Sequence, residues 1–341
     1  MLRKMKPLKM IVMLCAAGLL ASGCQNVSSE EEGKAEGRLV KIASVVAANT
    51  PSARSIREAF IPYIEEQLPG EYNVQLYDSS VLGSESAAYS YTKTGIVEFS
   101  LIGSSMWSET PVMATTDFPF MFRDVEHARR AYQGELGEYI SEEINESQPV
   151  ELLSWMPNGG RAFSSNQPLE SIEDFQGQRL RMPNNPIHVK LAESLGANVV
   201  IMDLGEVFTA LEQGVADGQD NPIATLRNEG WYEVQDYIYN TNHMVASLHL
   251  FASDHFLDEI PEEHQEVFEE AALRASDYAW DLYIEQLDED IAFVEEQGVT
   301  VTEITDEERA EFIERIQPVY DYLDSQYEWA EDVRQMVDEI E

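Results

Sequence analysis

From Pro261 to Gln297 apolar residues recur with helical period and no Gly or Pro interrupts them; Val267, Phe268, Ala271, Leu282 and Ile291 are among them. This run of about 37 residues exceeds most single-domain helices, so it predicts a helix bracing two lobes. Ahead of it strands and helices alternate, the order of α/β architecture. Arg38 to Val46 predicts a strand, Ser52 to Leu68 an amphipathic helix, and Tyr72 to Tyr77 a half-buried strand. Glu85 to Thr94 predicts a helix stopped by Gly95, Val97 to Ile102 a buried strand, Asp124 to Glu146 one long acidic helix, and Val150 to Trp155 a strand. Ser171-Ile172-Glu173-Asp174 has the form of a capping box. Arg179 to Met182 predicts a strand, and Ile187 to Leu195 and Glu206 to Gln213 predict helices closed by Gly196 and Gly214. After the long helix, Val299 to Ile304 predicts a last strand and Asp306 to Ile340 a helical end.

A chain of 341 residues suits two domains better than one core, and 44% hydrophobic residues can fill them. Its charge is lopsided: 22 Lys+Arg face 63 Asp+Glu, a formal net of −41. Binding to nucleic acid or to anionic lipid relies on clustered Lys and Arg, so both partners are excluded.

The amino terminus predicts export. Arg3, Lys4, Lys6 and Lys9 precede the apolar run Met10 to Ala21, which has the proportions of a signal peptide. Leu20-Ala21-Ser22-Gly23-Cys24 resembles the bacterial lipobox, in which the Cys is lipidated; a plain secretory signal is the alternative. The expected division is a signal peptide over 1–23, lipidation at Cys24 and a flexible tether over 24–37. That processing removes four of the 22 cations and Cys15, and it commits Cys24 to lipid, leaving no thiol for a disulfide, a metal or catalysis.

Catalytic patterns are absent: no Walker loop, no G-x-G-x-x-G, no His-Glu-x-x-His, no G-x-S-x-G. No cofactor or metal is expected, and His243 and His249 have neither helical nor finger-type ligand spacing. The informative feature is where acid is missing. An 18-residue stretch of this composition should hold about three acids, yet Leu152–Leu169 and Phe175–Ala192 hold none. The first carries Arg161; the second carries Arg179, Arg181 and Lys190. An acidic protein that binds an anion must clear its own carboxylates from the site, and Arg meets a carboxylate with a planar fork. On a strand Arg179 and Arg181 share one face, so one can serve a ligand while the other lies nearer solvent. Chance depletion in two ordinary segments is the bland alternative.

Gly177-Gln178-Arg179-Leu180-Arg181-Met182-Pro183 resembles the G-x-K-h-R-V-P strand of TRAP-transporter substrate-binding proteins of the DctP type. Leu195-Gly196-Ala197, Gly205 to Gly214, and Val215-Ala216-Asp217-Gly218-Gln219-Asp220-Asn221-Pro222 resemble its longest signature. Tyr232 to Gln235 and Thr241-Asn242-His243 continue it; Leu82 to Glu85, Asp117 to Phe122 and Asn158 to Arg161 are similar to upstream landmarks. The resemblance implies a two-lobed, periplasmic-binding-protein-like α/β fold, lobe I over 38–158 plus 248–286 and lobe II over 159–247 plus 287–341. It implies a monomer that closes on a small-molecule carboxylate (a C4-dicarboxylate, a related carboxylate or a sugar acid) and delivers it to TRAP membrane subunits. It would sit outside the cytoplasmic membrane on an N-terminal lipid anchor.

By the same resemblance Arg181 pairs with the ligand carboxylate, Arg161 and Asn221 add polar contacts, and Asn184 lies close by. Gly103 stands where sialic-acid binders carry an acid, which argues against that ligand. Leu204 stands where an aromatic ring is frequent, and Asp220, replacing the usual Glu beside Asn221, is expected outside direct ligand contact. Trp107 touches ligand or packs on the surface, and Glu85 accepts from a ligand hydroxyl or caps its helix. Phe118, Phe120 and Phe122 are expected in the core. The competing classes are an exported enzyme acting on sugar acids and a ligand-sensing surface lipoprotein without transport.

Overall fold

One long strand organises the molecule. In the computed structural model, which describes residues 37–340, β4 (Val150–Ser165) runs for 16 residues and serves two sheets in turn. From Val150 to Gly160 it pairs antiparallel with β9 (Val245–Ser253). From Arg161 to Ser165 it pairs with β7 (Gly218–Pro222), and its far edge pairs with β8 (Tyr237–Asn240). Beyond β9 the first sheet continues through β3 (Phe99–Ile102) and β1 (Arg38–Ser44) to β2 (Tyr72–Tyr77). Beyond β7 the second continues through β5 (Arg179–Met182) to β6 (Asn198–Ile201), while β8 carries β10 (Thr300–Glu303). Strands β1, β2 and β3 are mutually parallel, as are β5, β6 and β7, so their connections must cross over the sheet faces. Cys24, the signal peptide and the tether up to residue 36 lie outside the described residues.

The pleat sends alternate side chains into different cores. In β9 Leu250 enters one cluster with Val40, Phe99 and Phe268, while Phe251 enters another with Tyr89, Trp155 and Trp280. In β4 Ala162 packs with Val207, Leu226 and Trp231, and its neighbour Phe163 packs with Phe175, Leu180 and Phe312. Each sheet is thus covered on both faces, giving a two-lobed α/β molecule.

The helix Glu262–Glu296 has 35 residues and so extends about 52 Å. Glu262 and Glu263 in its first turn suit the positive end of the helix dipole, and Gly298 just beyond its end takes a left-handed φ of +97°. Phe268, Ala271, Ala275 and Ala279 pack on the first sheet, Trp280 on its opposite core, and Val294 on the second sheet. The expected brace is present. Full burial of a side chain such as Phe268 stabilises by about 1.5–3 kcal/mol.

Three expectations change. The strand predicted to end at Trp155 continues through Pro157 and Gly159-Gly160. A register shift between Pro157 and Gly159 absorbs Asn158, a second lies upstream between Leu152 and Ser154, and pairing with β9 and then β7 carries the chain on. The acidic helix is two helices, Val125–Tyr132 and Glu135–Ser147, with Gly134 at the break, where a Cβ would lie 2.8 Å from the Arg130 carbonyl oxygen. The C-terminal run is three helices, Asp306–Arg315, Gln317–Gln326 and Ala330–Glu339, the second opening on Pro318. The last of these packs Val333 and Val337 with Ile140 and Ile144 beside the first sheet, whereas the sequence division grouped it with lobe II.

Where β4 passes between sheets, Gly159 has a φ of +112°, and a Cβ there would lie 2.6 Å from ring atoms of Tyr283 on the long helix. The Tyr283 hydroxyl in turn accepts from the Gly160 N–H at 2.9 Å. We predict that Gly159→Ala destabilises by about 2–5 kcal/mol, from backbone strain plus overpacking, and Tyr283→Phe by about 1–3 kcal/mol, from the orphaned amide. Urea unfolding of both variants checks the order.

Candidate ligand-binding site

A cavity of about 300 Å³ opens at the C-terminal ends of parallel strands from both sheets. Val45 and Val46 follow β1, Gly103 to Ser105 follow β3, Pro183 and Asn184 follow β5, and Met202 to Leu204 follow β6. Open α/β sheets collect ligands at such carboxyl ends. Asn158 and Arg161 of β4, Asn221 of β7 and Ala246 to Leu248 of β9 complete the wall.

The period of β5 separates its arginines from Leu180, which enters the core. Arg179 is exposed and forks onto Asp217. Arg181 is 3% exposed and lines the cavity. Its Nε and Nη2 donate to the Met202 carbonyl oxygen at 3.1 and 2.8 Å, and among the described residues it makes no ion pair. Burial pushes its pKa down to about 10, so the guanidinium keeps its charge at neutral pH.

Arg161, also buried, is already neutralised. Its Nε and Nη2 donate to the two Asp220 carboxylate oxygens at 2.9 and 2.8 Å. Asp220 is fully buried behind the cavity wall and also faces His188 Nδ1 at 3.3 Å and His243 Nε2 at 3.2 Å. The other nitrogen of His188 faces Asp117 at 3.0 Å. An imidazole with a carboxylate at each nitrogen must donate twice, which only the imidazolium can do. Burial opposes that charge, yet the attraction of Asp117 and Asp220 outweighs it and holds the His188 pKa above its ordinary value. His243 is different: burial holds its pKa down despite Asp220, while its Nδ1 meets Thr241 Oγ1 at 2.7 Å. Burial works against the Asp220 carboxylate too, but Arg161 and His188 hold its pKa well below the usual range. Two aspartates, one imidazolium and one guanidinium balance, and Arg181 stands outside that balance.

The structure brings Arg181, Arg161, Asn221, Asn184 and Glu85 together around the cavity. Asn221 donates to Gln219 Oε1 at 2.7 Å. Glu85 is not the helix cap: Ser84 caps Glu85–Lys93, and the Glu85 carboxylate accepts from the Gly103 N–H at 2.9 Å and from the Ser105 hydroxyl. A Cβ at Gly103 would lie 2.8 Å from Glu85 Oε1, so glycine is what lets this contact form. Leu204 lines the cavity and packs against the cores of both sheets. Trp107 does not line it; its indole N–H donates to the Asn184 carbonyl oxygen at 3.0 Å and ties the loop after β3 to the loop after β5. Phe118 and Phe122 are core, and Phe120 packs at the core edge beneath Arg309.

Sequence reading missed Asp117, His188 and His243 and the pairing of Asp220 with Arg161. The one available signal was an acid inside the neutral run Gly218 to Pro222.

A raised His188 pKa contributes stability that is complete below pH 6.5 and is lost as pH rises through the folded-state value. A depressed Asp220 pKa contributes above pH 3.8 and is lost as pH falls through its folded-state value. The network therefore stabilises most between about pH 4 and 6.5. The unfolding free-energy gap between wild type and His188→Gln should be widest there and narrow above pH 6.5, as read by urea titrations from pH 5 to 9.

Comparison with known proteins places this geometry in a family. The profile of bacterial extracellular solute-binding protein family 7, DctP, matches residues 42–326. A TRAP periplasmic solute-binding protein from Haemophilus influenzae, solved with bound L-gulonate, superposes with a TM-score of 0.85 at 30% identity, over 89% of this chain and all of that one. One from Shewanella oneidensis with bound succinate gives 0.83 at 26%, over 88% and 98%. The 2,3-diketo-L-gulonate-binding periplasmic protein YiaO of Escherichia coli is 28% identical over 297 residues, 86% of this chain and 90% of YiaO. No helix among the described residues is long and apolar enough to cross a membrane. The chain belongs to the bacterial extracellular solute-binding proteins of family 7, the DctP-type substrate-binding proteins of TRAP transporters.

Proposed function

We propose that this protein captures an organic acid outside the cytoplasmic membrane, holds its carboxylate on Arg181, closes its lobes around it and hands it to the TRAP membrane subunits. The ligand class is a C4-dicarboxylate, a related carboxylate or a sugar acid, and no bond is made or broken. The observation that carries this reading is a buried guanidinium with no carboxylate partner among the described residues, lining a cavity in a chain with 63 acids. A buried charge is costly unless paired, and a ligand carboxylate supplies the missing pair. The relatives with bound L-gulonate and succinate agree with an acid ligand.

Closure is assigned to the two sheets moving as lobes about the β4 crossing and the long helix, with the last helix staying beside the first sheet. The protein works as a monomer, anchored through lipid on Cys24.

Two measurements test this. A thermal-shift screen against carboxylic acids identifies the ligand, because one that binds only the folded state raises the melting point. Calorimetric titration with that ligand should then show Arg181→Ala weakened about 30-fold to several-thousand-fold, the cost of about 2–5 kcal/mol for removing one partner of a buried charge pair. Arg181→Lys should recover only part, since an ammonium lacks the fork, and Arg179→Ala should cost far less. Near-wild-type binding by a cooperatively folded Arg181→Ala protein removes the clamp. Separately, Cys24→Ser should move the protein from the membrane fraction to the soluble fraction; retention on membranes contradicts the anchor.

A further inference from the structure

Trp107 belongs to the loop after β3, yet its indole is not spent on ordering that loop. Backbone bonds do so: the Trp107 N–H donates to the Ser104 carbonyl oxygen at 3.0 Å, and Glu109 and Thr110 donate to that of Met106 at 2.9 and 3.0 Å. The Met106 side chain, not Trp107, anchors the loop in the core of the first sheet. The Trp107 ring stays half-exposed and joins none of the hydrophobic cores among the described residues. What its side chain does is donate from Nε1 to the Asn184 carbonyl oxygen at 3.0 Å, 77 positions away and on the other sheet. Asn184 is held in place without that bond. Its neighbour Asn185 accepts from the Ile187 N–H at 2.9 Å as cap of the helix Pro186–Ser194 and donates to Asp117 at 2.8 Å. The loops after β2 and β6 also approach one another over the cavity: a Cβ at Gly205 would lie 4.0 Å from the Ser80 hydroxyl oxygen, and both residues line the wall.

We propose that Trp107 is the latch of the closed protein, a positioning residue that bonds the Asn184 carbonyl once the lobes have closed and so slows escape of the bound acid. The inference rests on the closure reading above. A bond between loops of different sheets breaks when the sheets part, so its free energy favours the closed state alone. Ligand enters before the bond forms and leaves only after it breaks. The latch therefore acts on dissociation and not on association. An indole N–H is a donor with no acceptor beside it, so it engages a carbonyl oxygen and passes over amide N–H groups. A neutral hydrogen bond of this kind is worth about 2- to 10-fold in an equilibrium. Because Asn184 lines the cavity, the same bond holds that residue against the enclosed acid.

Stopped-flow mixing with L-gulonate, D-glucuronate and succinate, acids held by solved relatives, tests this on the wild type and on Trp107→Phe, which keeps a ring and removes the donor. Dissociation from Trp107→Phe should be about 2- to 10-fold faster, with the association rate and the melting temperature of the unliganded protein unchanged. The emission of Trp107, taken as the difference between wild type and Trp107→Phe, should be quenched less by acrylamide once acid is bound, because closure covers the indole. An unchanged dissociation rate or unchanged quenching overturns the latch. So does a variant whose association rate and stability fall together, since Trp107 would then only support its loop. X-ray scattering separates this failure from failure of closure. A wild type that compacts with saturating acid while the variant keeps the wild-type dissociation rate loses the latch and retains closure. A wild type that binds without compacting loses both, as does one that binds none of the three acids.

Discussion

A strand shared by two sheets has to bend where it leaves one partner for the next, and the rest of this structure follows from that bend. In β4 it is built from Pro157, the register shift at Asn158, and Gly159 at positive φ. The long helix meets it there, because Tyr283 accepts the Gly160 amide. Arg161 comes directly after the bend, where β4 turns from β9 to β7, so the bend itself delivers a cation to the gap between the sheets. The carboxyl ends of β1, β3, β5 and β6 point into that gap, and their loops supply the rest of the wall.

Electrostatics then decides what the gap can hold. The chain carries far more acid than base, and beside this cavity Arg161 and His188 are matched by Asp220 and Asp117 while Arg181 stays outside that set. Asp220 orients and neutralises Arg161, and His188, held charged between two carboxylates, stops Asp117 and Asp220 from repelling one another. Arg181 donates to a carbonyl, whose partial charge satisfies its N–H groups without cancelling its net charge. Trp107 and Glu85, from the first half of the chain, fasten loops around the cavity through backbone groups.

Much of this was legible in the chain itself. Tyr72–Tyr77 and Arg179–Met182 appear as strands with the predicted bounds, because period-two alternation is a local property of one segment. The depletion of acid around Arg161 and Arg181 is equally local, and both residues line the cavity. What failed did so for identifiable reasons. Pro157 and Gly159-Gly160 look like breakers to any local rule, while cross-strand pairing carries β4 through them. β9 is buried at all nine positions, so it shows no alternation to read. Asp124 to Glu146 keeps helical composition across Gly134, and the break depends on the approach of a carbonyl four residues back.

Sequence alone determined the α/β class, the length and reach of the bracing helix, and the two arginines freed from neighbouring acid, since each follows from residues close together in the chain. Tertiary structure alone decided which of these two is, among the described residues, left without a carboxylate partner. Asp220 and Arg161 are 59 positions apart, and His188 joins Asp117 and Asp220 across 71 and 32 positions. In a chain with 63 acids every arginine has candidate partners. Which ones are in contact depends on a fold that brings β4, β5 and β7 together and turns Arg181 toward the cavity.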